Sequence, residues 1–439
     1  MKKFLKKTAF LAMATLTAFG VVACGGGGDD GGVDASGNTV VKVMFHVDLS
    51  SNEGMAYKKR VDAFNAAYKE EKIKISASYI ARSAGATDYE QKLIGMQNEG
   101  NLPDIITFDA PNCASYAHSE ILYDISNLIP GDVKEDFVTV NEYKGKLYGL
   151  PIQESSAGFF YNKQMFEQAG VNVSAYTVEN PWTFAEFKEV CKKLKDSGVA
   201  TPVDMRLYDT KDEMATYLLY PLIYTAGGEY LSEDGLTATG YFNSNATKSG
   251  FQFIKDLVES GYTSYSINGT DFFDKKVGMY LSSGWTIPEL DIKYRENFPS
   301  RDSWGLLPYP KASASAQGAS ATGSWSYGIT NNHHKDKTAI VKALLYLVSS
   351  ESCKAITDAT GMIPSRKTAQ TTYADGTPES VLLKQLALTG RERPVTVGYP
   401  QFTVNFRQVI YGMKDKDLGA LLDEKAAALQ LELNKLGKI

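Results

Sequence analysis

At 439 residues, with 43% hydrophobic and 22% charged residues, the chain has the composition of a globular protein of about two domains. Four of its 46 basic residues and none of its 51 acidic ones fall in the first 23 positions, so the remainder carries 42 basic against 51 acidic residues, a net charge of −9 that disfavours nucleic acid or an anionic lipid surface as partner. After those positions no stretch reaches the ~18 uninterrupted apolar residues of a membrane span, and the four cysteines and four histidines show no CxxC and no metal-ligand spacing, so neither a metal nor a cofactor is expected.

The amino terminus is basic (Lys2, Lys3, Lys6, Lys7), residues 8–22 are apolar and small, and Val21-Val22-Ala23-Cys24 closes the run. This is a secretory signal peptide over residues 1–23. Its end resembles the bacterial lipoprotein pattern, which implies a lipid on Cys24 and a body held outside the cytoplasm at a membrane surface. Residues 24–39 are a glycine-rich tether; roughly 15 such residues span about 20 Å. The glycine run follows no strand and lacks the Lys-Ser/Thr pair of a phosphate-binding loop.

Residues 40–47 are a β-rich apolar run. Tyr57, Val61, Phe64 and Tyr68 then recur at helical spacing, residues 73–79 alternate as a strand, residues 89–99 read as a helix ended by Gly100, and residues 104–108 as a short buried strand. This β-α-β-α-β order implies a doubly wound parallel sheet. Ligands of such sheets sit outside the carboxyl ends of the strands, here the loops 48–54, 82–87 and 109–113. Residues 143–150 read as a hairpin, with Pro151 beginning a new element. A strand at 159–161 and a helix at 165–169 follow. Thr183 to Glu186 spells a capping box for a helix running to Gly198, and residues 201–206 read as a strand. Asn245 caps a helix with Phe251, Ile254 and Val258 on one stripe, and residues 277–281 form a strand leading to Gly284-Trp285. Later helices cover about 335–349, 351–359, 378–390 and 417–436. Cys113, Cys191 and Cys353 read as small buried residues rather than a disulfide with a spare thiol, and His333-His334 as a solvated turn.

Several segments in order resemble the extracellular solute-binding proteins of bacterial ABC transporters, in the maltose-binding-protein-like group that includes many sugar binders. They are Leu102-Pro103-Asp104-Ile105; Gly145 to Pro151 followed by Phe160-Tyr161-Asn162-Lys163; Pro181-Trp182-Thr183-Phe184; Phe273 to Met279 with Gly284-Trp285; Pro308-Tyr309-Pro310; and Gly361-Met362-Ile363-Pro364. Lys276 and Gly278 stand where the family has Gly and Ala. The resemblance spans nearly all of the chain beyond the signal. It implies an α/β fold of two doubly wound lobes joined by a hinge, with the ligand cleft between them. The expected division is 40–150 plus 326–362 for one lobe and 151–325 plus 363–439 for the other. It also implies a monomeric receptor, not an enzyme, that hands a small solute to a membrane permease.

A sugar has hydroxyl rims and apolar ring faces, so its site needs acids, amides and Arg beside flat aromatics. The candidates are Asp48 and Asn52 on the first loop, Arg82 on the second, Asp109 on the third, Glu154 at the hinge, Tyr208 after the 201–206 strand, and Trp285 and Trp325 as stacking rings. Trp182 and Trp304 read as packing. An unliganded carboxylate in a closing cleft is costly, so Asp109 or Glu154 is expected to bond ligand hydroxyls. Two other readings stay open. A tethered glycosidase or lyase would need two carboxylates about 5–10 Å apart, and Asp109 and Glu154 are the candidates. A polyamine, peptide or phosphate ester on the same fold is the other, with Asp48, Asp109 and Glu154 as a possible acidic cluster.

Overall fold

The computed structural model describes residues 32–82, 88–209, 213–332 and 337–436. The signal peptide, Cys24, the first part of the tether and the His333-His334 pair lie outside the described residues. The strands in chain order are β1 (Thr39–Phe45), β2 (Ile73–Tyr79), β3 (Ile105–Asp109), β4 (Asn141–Tyr143), β5 (Lys146–Asn162), β6 (Thr201–Asp204), β7 (Val277–Ser283), β8 (Trp304–Leu307), β9 (Ser320–Ile329), β10 (Ile363–Pro364) and β11 (Gly390–Arg391).

β1 lies between β2 and β3 and runs parallel to both. Its carboxyl-terminal half, Val43 to Phe45, is buried on both faces, as a parallel strand covered by helices requires. Val41, Val43 and Phe45 pack with Tyr57, Val61 and Phe64 of the helix Asn52–Ala67 and with Ile340 and Leu344 of Thr338–Leu347. Met44 on the other face joins Ile106, Phe108, Tyr89 and Leu93. The β-α-β-α-β reading therefore holds for the first lobe.

The principal path of the sheet runs β2-β1-β3-β9-β5-β7-β6. β5 is one strand of 17 residues, so Pro151 does not begin a new element. A proline has no N–H for a ladder, and a register shift between Pro151 and Gln153 in the pairing with β9 absorbs it. The first half of β5 pairs with β9, from Leu150 opposite Tyr327 to Ser156 opposite Thr322; its second half pairs with β7 and β8. β10 pairs with β5 at Gln153 and Glu154. Two long strands and one short strand thus pass between the lobes.

The second lobe is built round Phe159, Phe187 and Trp182, whose Nε1 donates to the Pro308 carbonyl at 2.8 Å. Trp182 and Trp304 are both buried in cores, as expected of packing residues. Thr183 and Glu186 form the reciprocal capping box, and the helix runs Phe184–Asp196. The helix Asn245–Glu259 is capped by Ser244 rather than Asn245, because Ser244 takes the extended backbone and its Oγ accepts from Thr247 N. Two of the longer helices go unread in the sequence. Met214–Thr225 is buried on nearly every side, so no polar face gives it a period; Tyr399–Gly412 is the other, although it carries a buried stripe of Phe402, Phe406, Val409 and Ile410. Cys113, Cys191 and Cys353 are free thiols, all buried. No helix among the described residues is long and apolar enough to cross a membrane.

Candidate functional site

The largest space beside the hinge strands is a cavity of about 480 Å3 between the lobes. The first lobe contributes the carboxyl ends of its parallel strands: Asn52 and Glu53 after β1, Arg82 after β2 and Asp109 at the end of β3. The hinge strands form the floor with Gln153, Ser155, Ser324 and Trp325, and the second lobe adds Glu213, Tyr217, Trp285, Glu289 and Arg393.

Five of the eight candidate residues come together here: Asn52, Arg82, Asp109, Trp285 and Trp325. The other three do not. Glu154 sits between Gln153 and Ser155 on β5, and successive strand residues face opposite sides. It therefore faces a smaller cavity of about 160 Å3 shared with Thr139, Asn141 and Glu392, where its Oε1 accepts from Thr139 at 2.6 Å. Burial pushes its carboxyl up to about 8. Asp48 is exposed and turns back on its own loop, accepting from Ser50 N at 2.7 Å. Tyr208 donates to Asp204 at 3.2 Å within the second lobe. The carboxylates proposed for a glycosidase pair or a polyamine cluster are thus not gathered in one cleft.

The two cavity indoles are held differently. Trp325 lies parallel to the His46 imidazole with centroids 3.3 Å apart, and the Arg82 guanidinium carbon is 5.1 Å from its centre. His46 is fixed by its Nδ1 contact with Thr107 Oγ1 at 2.9 Å; burial, and then the charge of Arg82, hold it well below the usual imidazole range. Trp285 is partly buried and meets Tyr217 at 6.0 Å with the rings tilted by 41°. Gly284 brings it out at the end of β7, where a Cβ would stand 2.2 Å from the Gly361 carbonyl oxygen. The glycine of the Gly-Trp pair is thus required by the close approach of the third interlobe crossing.

Four charged side chains lining the cavity, Arg82, Asp109, Glu213 and Arg393, are matched within the protein. Asp109 accepts from both terminal nitrogens of Arg393, at 2.9 and 2.7 Å, and Arg393 Nη1 also reaches Glu213 Oε1 at 2.8 Å. Both Asp109 oxygens thus accept from a buried guanidinium, each keeping a lone pair for a further donor. Arg82 Nε lies 3.4 Å from Glu90 Oε1. Glu53 accepts from Tyr57 Oη at 2.8 Å, with His46 Nε2 3.7 Å away, and burial pushes its carboxyl up to about 7. Sequence reading missed Glu53, Gln153, Ser155, Glu213, Tyr217 and Arg393. Alternation along β5 puts Glu154 and its two neighbours on opposite faces without saying which face meets the cavity. Glu213 and Arg393 stand far apart in the chain and carry no local signal.

The family profile described as "Bacterial extracellular solute-binding protein" matches residues 59–381. The chain is 27% identical over 307 residues to a binding protein of Brucella abortus, covering 67% of this chain and 70% of that protein. It is 24% identical over 385 residues to a maltooligosaccharide ABC transporter solute-binding lipoprotein of Streptococcus pneumoniae, covering 85% and 84%. Among solved structures, the cyclic alpha-maltosyl-1,6-maltose binding protein of Arthrobacter globiformis superposes with a TM-score of 0.74 at 23% identity, over 91% of this chain and all of that one. That likeness establishes the two-lobed α/β fold.

Proposed function

The chain belongs to the bacterial extracellular solute-binding protein family, a family of transport receptors rather than enzymes, and we propose that it captures a neutral carbohydrate between its lobes for an ABC importer. The observation that carries this reading is the interlobe cavity itself. Two indoles line it beside amide and hydroxyl groups, and four of its charged side chains, Arg82, Asp109, Glu213 and Arg393, are held in internal ion pairs, while Glu289 and Lys293 also line it. An uncharged, hydroxyl-rich solute with apolar ring faces suits such a wall, whereas a charged cargo held by Asp109, Glu213, Arg82 or Arg393 would have to displace an internal partner. The maltooligosaccharide lipoprotein and the maltosyl-maltose binding protein among its relatives are named for sugars of this kind.

Trp285 is the proposed stacking plate, with Asn52, Gln153, Ser155 and Ser324 supplying hydrogen bonds. Trp325, already stacked on His46, is a wall. The first lobe is assigned 40–150 and 326–362. The second lobe is assigned 151–325 and 363–439, the latter segment keeping contact with the first lobe at its start, where Arg366 pairs with Asp136 at 2.7 Å. A lipid on Cys24, a monomeric body and a membrane permease partner complete the proposal.

A thermal-shift panel tests it, because a ligand that binds the folded state raises stability by RT ln(1 + [L]/Kd). Neutral oligosaccharides such as maltotriose and chitobiose should raise Tm, spermidine and glycerol phosphate should not, and Trp285→Ala should weaken the responding sugar at least tenfold. A response confined to the charged solutes, or full sugar affinity in Trp285→Ala, would overturn the assignment.

A further inference from the structure

One charged cluster ties the lobes together beside the hinge. Asp109 ends β3 of the first lobe, and its backbone pairs with Trp325 of β9. Arg393 follows β11, which pairs with the second-lobe end of β9 at Ser320 and Ala321. Glu213 immediately precedes the second-lobe helix Met214–Thr225. The Arg393 guanidinium lies between the Tyr217 and Tyr399 rings, 5.4 and 5.9 Å from their centres. Its side chain is 3% exposed, against 9% for Asp109 and 15% for Glu213. Glu213 is held in turn by the Tyr399 hydroxyl and by Thr403 Oγ1, the latter at 2.6 Å.

The hinge strand makes room for this cluster. At Gly323 on β9 a Cβ would stand 3.1 Å from Arg393 Nη2, 3.2 Å from the Tyr217 ring and 3.3 Å from Ser155 Oγ. Tyr217 continues the chain of contacts, donating to Ser155 Oγ at 2.7 Å and meeting Trp285. The guanidinium therefore binds the first lobe through Asp109, sits close under Gly323 of the hinge strand, and meets Tyr217, which in turn meets Trp285. It also stands where the main cavity and the smaller Glu154 cavity adjoin, since Arg393, Gly323 and Ser324 line both.

We propose that Arg393 is a positioning residue for binding: by clamping Asp109 of one lobe to Glu213 of the other, it holds the lobes together at the hinge before ligand arrives and makes that end of the cleft a fixed wall. Hinge rotation that parts the lobes has to break a bidentate pair, and breaking it leaves buried charge short of a partner. Ligand then meets a cleft whose closure is partly complete, which lowers the ordering cost of binding. The inference rests on the two-lobed reading of the site but not on which solute binds.

Small-angle X-ray scattering of the ligand-free full-length protein tests it. Asp109→Asn is the decisive variant, because Arg393 keeps Glu213 and no charge is left stranded. The triple variant Asp109→Asn, Glu213→Gln, Arg393→Met is the second, because removing the whole ionic group, rather than one partner, leaves no buried charge uncompensated. Both variants should give a larger radius of gyration than the wild type while keeping a cooperative melt, and Arg393→Lys, which retains charge but not the fork, should fall between. Either folded variant decides the matter if the other does not fold. A radius unchanged from the wild type would overturn the proposal, and would do so whether or not any sugar binds, so its failure is distinct from failure of the sugar assignment.

Discussion

A single residue step on β5 separates two fates. Gln153 and Ser155 face the interlobe cavity, while Glu154 between them is turned into the smaller one and kept largely protonated by burial. Its carboxyl ionises at about 8 in the fold against an ordinary value of 4.5. The unfolded chain releases this proton first, so between about pH 4.5 and 8 the folded state holds more protons and stability falls as pH rises. Each unit of separation is worth about 1.4 kcal/mol. Glu154→Gln, which cannot ionise, is therefore expected to match the wild type near pH 4.5 and to exceed it by roughly 3–5 kcal/mol at pH 8.5, read from urea midpoints at the two pH values. Equal pH dependence of the two proteins would mean that Glu154 is not the group responsible. The type of residue at the site was legible in the sequence, since strand-end loops pointed to Asn52, Arg82 and Asp109 and the Gly-Trp pair to Trp285. The direction of Glu154 was not, because the strand's facing is set by its register with β9, a partner some 170 positions away in the chain.

Elements with their own local chemistry are the ones the sequence specified best. The helix Phe184–Asp196 has a capping box before it and five buried apolar residues along one face, so it follows from neighbours within one turn. β1, β2 and β3 follow from apolar runs bounded by polar loops. Met214–Thr225 was hidden because burial on all sides removes the contrast that makes a period visible, and the unity of β5 was hidden by Pro151, an ordinary strand breaker that a bulge accommodates. The cap gives a contained prediction. Thr183→Ala removes the acceptor for Glu186 N and should cost about 1 kcal/mol in denaturant unfolding. Sugar affinity should be unchanged, since Thr183 does not line the cavity. A loss of affinity larger than the loss of stability would show that this helix is coupled to the cleft.

For the molecule as a whole, three crossings and one ionic clamp decide what the two lobes can do. β5 and β9 run through both halves without interruption, so relative motion has to be a bend of these strands near Gln153–Ser156 and Thr322–Trp325. β10 adds the third link beside Glu154. The cavity lies against that bend, and side chains from both sides reach into it. The two-lobed design was legible from the order of motifs along the chain. The clamp was not, because Asp109, Glu213 and Arg393 are brought together only by the completed fold.

The central claim is that a neutral sugar is held in this cavity, between Trp285 on one lobe and the strand-end loops of the other. Hydrogen–deuterium exchange, with and without a sugar that raises Tm, measures this directly. The account predicts slowed exchange in 51–53, 285–293, 323–325 and 359–362, from both lobes and the hinge together, with the outer helix Leu418–Leu436 unchanged. Protection confined to one lobe, or to a surface outside the cleft, would contradict it.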